Sequence, residues 1–278
     1  LMLGLLAPTA GHVVFDGTDL AAAPPAIRRT LRRRMQLVFQ DPYGSLDPRR
    51  TVGAQIADPL DIHDLLPAAR RPARVAELLE QVGLDGAHAA RYPHQFSGGQ
   101  RQRVAIARAL AMKPDLLVCD EPVASLDVSI QAQIINLFLR LRRELDLTML
   151  FISHDLGIVR HLCDRVAVMY LGRIVESGPT AAVYAAPRHP YTKALMEAVP
   201  KLEGGAAAFR PIAGEIPSPT DPPKACAFHP RCPLAIERCR IEPPELRVIV
   251  PGRRAACHRA EEVGPPFVGT LAADLPLS

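Results

Sequence analysis

Tryptophan is absent from the 278 residues, and all aromatic residues together make up only 5% of the chain. The arginine cluster at 28–34, RRTLRRR, therefore has no aromatic residues interleaved with it, and the net charge is only +4. We interpret the cluster as the solvated face of a helix that precedes a strand, and we expect no nucleic-acid partner. No run of about 18 apolar residues occurs, so we expect no transmembrane helix.

The composition that remains is typical of an α/β protein. Hydrophobic residues make up 48% of the chain and charged residues 22%, which is enough for one sizeable core and a smaller unit. No signal peptide is recognisable, and six cysteines without one favour a reducing compartment, where thiols bind metal more often than they form disulfides.

The most informative stretch runs from residue 95 to 127 and begins with a turn of small residues, SGGQ at 97–100. The apolar positions of the following VAIARALAM recur at intervals of three and four, which predicts a helix that opens at this turn. Glycine lets backbone N–H groups approach an anion closely, and the positive end of a helix favours negative charge. We therefore expect this turn to contact phosphate.

An apolar run of strand length, Leu116–Cys119, follows this helix and delivers Asp120 and Glu121 to its carboxyl end. Active-site acids belong at that edge of an open α/β sheet. One carboxylate there can coordinate Mg²⁺, and another can orient and polarise an attacking water, which contributes roughly 10²–10⁴-fold for a well-placed base. Asp120 is the candidate Mg²⁺ ligand and Glu121 the candidate base.

Two more polar residues follow predicted strands. Gln40 comes after a short strand at 36–39, and His154 comes after the strand in LTMLFIS. At a strand end, the imidazole of His154 can hydrogen-bond a phosphate and hold Glu121 and the water in register. The run Ser-His-Asp at 153–155 is consecutive, so its side chains cannot line up as the triad of a hydrolase.

These motifs resemble those of ABC transporter ATPases in order and spacing. SGGQRQR, LLVCDEP, SLD and FISHD resemble the signature motif, Walker B, D-loop and H-loop, and VFQDPYGSLDP resembles the Q-loop. The resemblance implies an ABC-type nucleotide-binding domain, an α/β fold with a phosphate-loop NTPase core and a helical subdomain, which binds ATP and Mg²⁺. It implies catalytic roles for Glu121, His154 and Gln40, and binding roles for Ser97, Gly98, Gly99 and Gln100 (partner-held ATP), Asp120 (Mg²⁺) and Asp127 (D-loop).

The same resemblance divides the chain into two parts. Residues 1–178 correspond to the ATPase domain without its N-terminal part, with the helical subdomain at about 52–110, and residues 179–278 correspond to a C-terminal extension. Periodicity predicts helices in VGAQIADPL and ARVAELLEQVGL, a long amphipathic helix after residue 127, and a hairpin in RVAVMYLGRIVESGP.

The phosphate-binding loop of the family, G-x-x-x-x-G-K-[ST], does not occur in this sequence, because none of the four lysines follows a glycine. The opening stretch LMLGLLAPTAGHVVFDGTDL resembles the segment after that loop: the end of its helix, a turn and then a strand. We therefore expect an N-terminally incomplete copy of a longer protein, which is inactive as an ATPase alone.

The C-terminal part is rich in proline and contains four cysteines, Cys226, Cys232, Cys239 and Cys257. Four thiols in one small segment suggest a soft-metal site. Their spacing is not that of a zinc ribbon and leaves zinc, an iron–sulfur cluster and free thiols open.

A further resemblance narrows this choice. HPYTKAL, GEIPSP and FHPRCP resemble the C-terminal extension of the oligopeptide, dipeptide and nickel importer ATPases, some of which carry a [4Fe–4S] cluster on four cysteines. The resemblance favours such a cluster, with zinc as the alternative. Cys119 and Cys163 are expected to pack as hydrophobes, and His229 and His258 are not expected to be ligands.

The family works as a head-to-tail pair in which one subunit's phosphate loop faces the other's signature. The resemblance implies a second ABC ATPase subunit, two transmembrane permease subunits and an extracellular solute-binding protein, at the cytoplasmic face of a bacterial-type cell membrane. Peptide is the expected solute.

Two alternatives are weighed against this function. In one, the chain is a non-hydrolytic half-site partner that contributes only its signature motif to another ATPase subunit. The other, a soluble ABC protein that acts on DNA or ribosomes, is disfavoured because the interval from Gln40 to Ser97 is too short for the coiled coil of the DNA-repair members.

Overall fold

The structure is a computed structural model that describes residues 1–198, 212 and 214–264. The chain forms two compact units, Leu1–His154 and Asp155–Ser278. This division does not test the predicted domain boundary between residues 178 and 179, which stays a prediction. Within the described ranges, no helix combines the length and apolar character needed to cross a bilayer.

The first unit combines a short antiparallel ribbon, a three-stranded parallel sheet and helices, which confirms the predicted α/β class. Its strands are β1 Val14–Phe15, β2 Thr18–Asp19, β3 Met35–Val38, β4 Leu116–Asp120 and β5 Thr148–Ile152. Its helices are α1 Pro25–Arg34, α2 Val52–Ile62, α3 Arg71–Gln81, α4 Gly98–Leu110 and α5 Val128–Leu145, with 3₁₀ turns at Ala68–Arg70, Gly86–Ala90 and Pro93–Gln95.

The parallel sheet positions the functional residues. Its strand order is β3-β4-β5, and Val38 pairs with Cys119, which in turn pairs with Phe151. The centre of β4 is buried, as its apolar sequence predicts for a central parallel strand. Because the three strands are parallel, their carboxyl ends lie at one edge. Gln40 and His154 follow the ends of β3 and β5, and Asp120 is the last residue of β4.

The helices predicted in VGAQIADPL and ARVAELLEQVGL are present as α2 and α3. The Thr51 hydroxyl caps α2 by accepting from the Ala54 N–H, and α3 stops before Gly83, which has a φ of 77°. Both helices pack against α4, which carries the predicted signature turn at its start. The arginine cluster lies on α1, directly before β3, as expected.

The opening stretch differs from the expectation. Gly4 has a φ of 63°, and its N–H donates to the carbonyl of Leu1 at 2.8 Å, so these residues form a turn. An α-helix needs a φ near −63° at each position, and a left-handed glycine ends it. The helix end predicted at the start of this stretch is therefore wrong, whereas the strand predicted after the turn is present as β1.

The second unit contains four strands, β6 Arg165–Tyr170, β7 Arg173–Pro179, β8 Arg247–Val250 and β9 Arg253–Ala255. Its helices are α6 Leu156–Leu162, α7 Thr180–Ala185, α8 Pro190–Glu197 and α9 Arg238–Ile241, with a 3₁₀ turn at His229–Arg231. The strands form an antiparallel sheet of order β6-β7-β9-β8. The hairpin of β6 and β7 confirms the prediction, and its tip, Leu171-Gly172, has positive φ at both residues, as a tight hairpin turn requires.

Candidate functional site

The carboxylate of Glu121 lies at the centre of the candidate site. The Gln40 amide Nε2 donates to Glu121 Oε2 at 2.7 Å, and His154 Nδ1 lies 3.2 Å from Glu121 Oε1. Both carboxylate oxygens are therefore engaged by side chains from the two neighbouring strand ends. The structure thus brings together the three residues predicted to be catalytic.

The backbone at this position is unusual. Glu121 has a φ of 45°, and its N–H donates to the Ile152 carbonyl at 3.0 Å, one position beyond the last β4–β5 pair. A left-handed residue other than glycine costs about 1–3 kcal/mol and is concentrated at functional sites. The left-handed residue thus lies directly after β4, and its side chain contacts Gln40 and His154.

The site is open to solvent. The Glu121 side chain is 27% exposed and that of His154 is 73% exposed. Gln40 and Asp120 are exposed as well, with Asp120 at the last position of β4. A carboxylate held by two hydrogen bonds at an open edge has a fixed orientation and access to water, which is what a general base requires.

The signature turn is held by reciprocal hydrogen bonds. The Ser97 hydroxyl accepts from the Gln100 N–H at 3.3 Å, and the Gln100 amide oxygen accepts from the Ser97 N–H at 3.0 Å, which is a capping box. Gly99 is buried, and a Cβ added to it would lie 2.4 Å from Ile130 Cγ2 on α5. Close packing against α5 is thus a second reason for this glycine, besides the predicted approach to phosphate.

Asp127 caps α5, which gives it a structural role alongside the predicted D-loop role. Its Oδ1 accepts from the Ile130 N–H at 2.9 Å and from the Ser129 hydroxyl at 2.8 Å. These hydrogen bonds hold the pKa of Asp127 below its ordinary value, and the bond from the Ile130 backbone N–H has the largest effect. The D-loop role of Asp127 and the phosphate contacts of the signature turn stay predictions.

The four C-terminal cysteines share one region of the second unit. Cys226 and Cys239 are buried in one apolar cluster, and the Cys226 N–H donates to the Cys239 carbonyl at 3.1 Å. Burial, with a smaller contribution from the neighbouring thiols, raises the pKa of Cys232 to about 11 and that of Cys257 to about 12. Among the described residues, however, no three His, Cys, Asp or Glu side chains form a group that could hold a metal ion. The donor set has the soft chemistry of a metal site, but its arrangement does not fit a single ion.

The remaining cysteines and the two nearby histidines have other surroundings. Cys119 is fully buried in β4, and Cys163 follows α6 as its C-cap. His229 Nδ1 lies 2.9 Å from the Cys226 carbonyl oxygen, and His258 Nε2 lies 3.2 Å from that of Glu242. These ring nitrogens face backbone carbonyls.

Sequence reasoning missed a buried polar group in the second unit. Glu176 on β7 is completely buried, and its carboxylate accepts from the N–H groups of Arg188 and His189 at 2.9 and 3.0 Å. The Arg253 guanidinium donates to the same carboxylate at 2.9 Å. His189 is itself buried and caps α8 by accepting from the Tyr191 N–H at 3.1 Å, and burial lowers its pKa to about 4. The only local signal is one acidic residue within the apolar strand RIVESGP.

Two family models match different parts of this chain. Residues 1–124 match the family model described as ABC transporter, and residues 175–239 match that described as the C-terminal region of oligopeptide/dipeptide transporters. A probable peptide ABC transporter ATP-binding protein of Sinorhizobium fredii is 49% identical over 98% of this chain and 79% of its own length. A putative peptide import ATP-binding protein of Brucella ovis is 51% identical over 93% of this chain and 82% of its own length.

Two solved structures resemble this one. CbiO1 of Clostridium perfringens, part of an ABC transporter complex, aligns with 66% of this chain and 71% of its own, with a TM-score of 0.59 and 32% identity. A dimeric ATP-binding cassette in a post-hydrolysis state, bound to ADP and phosphate, aligns with 64% of this chain and 77% of its own, with a TM-score of 0.57 and 29% identity.

Proposed function

Because this chain belongs to the ATP-binding proteins of ABC transporters, whose ATP hydrolysis is coupled to transport, we propose that it energises the import of peptides across the cell membrane. The observation that carries the catalytic part is the Glu121 carboxylate, held between Gln40 and His154 at the carboxyl edge of the parallel sheet. This is the position at which α/β enzymes gather their reactive groups.

Each residue of the site has a proposed role. Glu121 orients and polarises the attacking water, and Gln40 and His154 fix the direction of its carboxylate. Asp120, exposed at the end of β4, would hold Mg²⁺. When bound, ATP and Mg²⁺ supply the γ-phosphoryl group and the charge that stabilises its transfer.

The signature turn is proposed to serve the nucleotide of a second ATPase subunit. The N-terminus of α4 presents backbone N–H groups near Gly98 and Gly99, and an anion is favoured there by the helix dipole. Ser97 and Gln100 keep this turn in shape through their capping box. In this arrangement each subunit completes the site of the other.

Peptide as the solute is supported by two findings. The segment 175–239 matches the oligopeptide/dipeptide transporter C-terminal region, and the two relatives compared above are named for peptide transport or import. The proposed partners are accordingly a second ABC ATPase subunit, two permease subunits and an extracellular solute-binding protein. The chain would act at the cytoplasmic face of the membrane.

The signature turn is complete, whereas no glycine in this sequence is followed by lysine. This contrast favours a second candidate function, in which the chain contributes its signature motif to a partner and does not hydrolyse ATP itself. We propose that turnover at Glu121 requires a phosphate-binding loop supplied in addition to these 278 residues.

The experiment that separates the two functions compares two proteins. One is this chain alone, and the other carries a Gly-Lys loop segment from a peptide-import relative before Leu1. The importer proposal expects ATP hydrolysis only with the loop present, and ATP-dependent peptide uptake once the permease subunits are added. If the loop-bearing protein also fails to hydrolyse ATP, the half-site function is favoured. Hydrolysis by the short chain alone would show that the loop is dispensable.

In the part of the chain that the structure describes, the side chains of the four cysteines do not converge on one ion, and we propose that they rearrange to bind a [4Fe–4S] cluster, with zinc as the alternative. The support is four soft donors in one region, two of them buried in one apolar cluster, together with the family resemblance. Analysis of iron, zinc and acid-labile sulfide in anaerobically purified protein tests this proposal. Cys239→Ser should lose the iron and sulfide, whereas Cys163→Ser should retain both. One zinc per chain without iron would favour the alternative.

A further inference from the structure

An arginine next to the signature turn is buried without an acidic partner. Arg101 lies in the first turn of α4 and is only 9% exposed. Its Nε donates to the Pro93 carbonyl at 2.7 Å, and its guanidinium carbon lies 3.8 Å from the centre of the Tyr43 ring. Across the described ranges, none of the ion pairs includes Arg101.

The Tyr43 ring therefore takes the place of a counter-ion. A buried charge is costly unless it is compensated, and a cation over an aromatic face is attracted more strongly when both are shielded from water. Tyr43 itself is 64% exposed, so one face of its ring covers Arg101 while the residue remains accessible from outside. Displacing this ring would uncover a cation whose side chain, among the described residues, otherwise bonds only to the Pro93 carbonyl.

The segment that carries Tyr43 is fastened to α4 at a second point. Arg108, seven positions after Arg101 and so on the same face of the helix, donates to the Ser45 carbonyl at 2.6 Å. Within the segment, the Asp41 carboxylate accepts from the N–H groups of Tyr43 and Gly44 at 2.8 and 3.1 Å. The segment 41–45 is thus an ordered turn that is attached to the signature helix.

Arg101 also belongs to the framework of the signature turn. Its backbone N–H donates to the Ser97 carbonyl at 2.9 Å, and the Pro93 carbonyl that its side chain binds lies in the 3₁₀ turn just before the signature. At the other end of the connection, the segment 41–45 directly follows Gln40, which bonds to Glu121. The segment 41–45 therefore contacts the signature helix and is joined directly through the backbone to Gln40.

We propose that Arg101 is a positioning residue that couples the segment 41–45 to the signature turn through the Tyr43 ring. A partner that contacts this segment and displaces the ring would change the geometry of the signature turn and of Gln40 together. The identity of that partner as a permease subunit rests on the proposed function, whereas the coupling itself rests on the contacts described above.

Amide hydrogen exchange in the purified protein tests the coupling without any partner. Tyr43→Leu removes the aromatic face and Tyr43→Phe keeps it, and both substitutions are at an exposed position. We expect exchange at the Gln100 and Arg101 amides to rise at least threefold in Tyr43→Leu and to stay within about 1.5-fold in Tyr43→Phe. The centre of α5 should be unchanged in both, because global unfolding would raise exchange there as well.

A second pair of variants separates coupling from a merely structural contact. If the connection passes through Arg101, Tyr43→Leu should have no further effect on these amides in an Arg101→Met background. Equal exchange at Gln100 and Arg101 in the Leu and Phe variants, a rise that includes α5, or additive effects of the two substitutions would overturn the proposal.

The assembled importer gives an independent readout. In the loop-bearing protein, Tyr43→Leu should lower the ratio of permease-stimulated to unstimulated ATP hydrolysis at least threefold, and Tyr43→Phe should preserve it. An unchanged ratio in Tyr43→Leu would contradict transmission to a permease. If the unsubstituted protein shows no stimulation, the proposed function fails, and the exchange experiment still decides whether the coupling exists.

Discussion

The two compact units use their acidic side chains in opposite ways. In the first unit, Glu121 is partly exposed and bonds two other polar side chains at an open sheet edge. In the second unit, Glu176 is completely buried and accepts from two backbone N–H groups and one guanidinium. A buried carboxylate needs all its partners, whereas an exposed one can exchange them for water or ligand. The Glu121 carboxylate is therefore available for catalysis, whereas the Glu176 carboxylate stabilises the fold of the second unit.

Neutralising Glu121 is the strongest test of the first half of this contrast. In the loop-bearing protein, Glu121→Gln should lower ATP hydrolysis by at least about 100-fold, because an amide cannot act as a base. ATP-dependent dimerisation should persist, and the free energy of unfolding should change by no more than about 0.5 kcal/mol, because Glu121 is partly exposed and lies outside the apolar core. Phosphate release at saturating ATP and urea unfolding measure the two effects.

Glu77→Gln, an exposed change on α3, is the matched control and should leave hydrolysis intact. Unchanged turnover in Glu121→Gln would remove Glu121 from its assigned role. A large loss of stability would instead place Glu121 in the same class as Glu176, and the contrast between the units would disappear.

Neutralising Glu176 tests the other half. Glu176→Gln should lower the free energy of unfolding by about 3 kcal/mol, because it leaves the buried Arg253 cation without a counter-charge. The exposed pair of Glu261 with Arg247 is the internal control, and Glu261→Gln should cost no more than about 1 kcal/mol. Urea unfolding of the two variants side by side measures the difference. Similar losses would mean that burial does not distinguish the two ion pairs.

The buried imidazole of His189 predicts a pH dependence for the second unit. Burial lowers its pKa from 6.5 to about 4, so in this interval the unfolded chain binds a proton that the folded chain does not. The stabilisation is therefore complete above pH 6.5 and is lost as the pH falls toward 4. Its full size is up to about 3 kcal/mol.

His189→Asn retains a side-chain acceptor for the Tyr191 N–H and removes the titration. Plots of unfolding free energy against pH should thus be flatter for this variant between pH 4 and 6.5, whereas the exposed His161→Asn should follow the unsubstituted protein. Parallel curves for all three proteins would show that His189 is not held neutral by burial.

The contrast between Glu121 and Glu176 also explains which parts of the structure could be predicted from the sequence. Apolar runs that end in polar residues identify both a strand and its carboxyl end, so the positions of Asp120 and Glu121 could be predicted from local pattern alone. The hydrogen bond from Gln40 to Glu121 joins residues 81 positions apart, and the pattern contains no trace of it. The resemblance to a known family implies a catalytic role for each residue, but the hydrogen bond between them was not predicted.

Glu176 shows why contacts between distant parts of the chain could not be predicted. Its strand has one acidic residue among mostly apolar and small residues, and its partners Arg188 and Arg253 lie 12 and 77 positions away. Whether a single acid in a strand is buried depends on what the chain places over it. The prediction for the opening residues was wrong for a different reason. The family resemblance indicated the end of a helix, whereas the chain itself forms a turn at Gly4.

Gly99 is constrained both by close packing against α5 and by the predicted contact with phosphate. Of the test substitutions, that of Gly99 should have the smallest effect. A Cβ at this position would lie 2.4 Å from Ile130 Cγ2, so Gly99→Ala should lower the free energy of unfolding by about 2 kcal/mol through overpacking. At Gly98 the nearest atom, Leu126 Cδ2, is 3.4 Å away and can move, so Gly98→Ala should be nearly neutral. Urea unfolding of the two variants measures the difference.

Truncating the Ile130 side chain shows whether packing or the predicted phosphate contact requires a glycine at position 99. If packing against α5 requires the glycine, adding Ile130→Ala should make Gly99→Ala nearly neutral, because the atom that clashes has been removed. ATP-dependent dimerisation of the loop-bearing double variant then reports the phosphate contact by itself. Recovered stability with weak dimerisation would mean that Gly99 serves both the core and the nucleotide, whereas equal costs for Gly98→Ala and Gly99→Ala would eliminate the packing constraint.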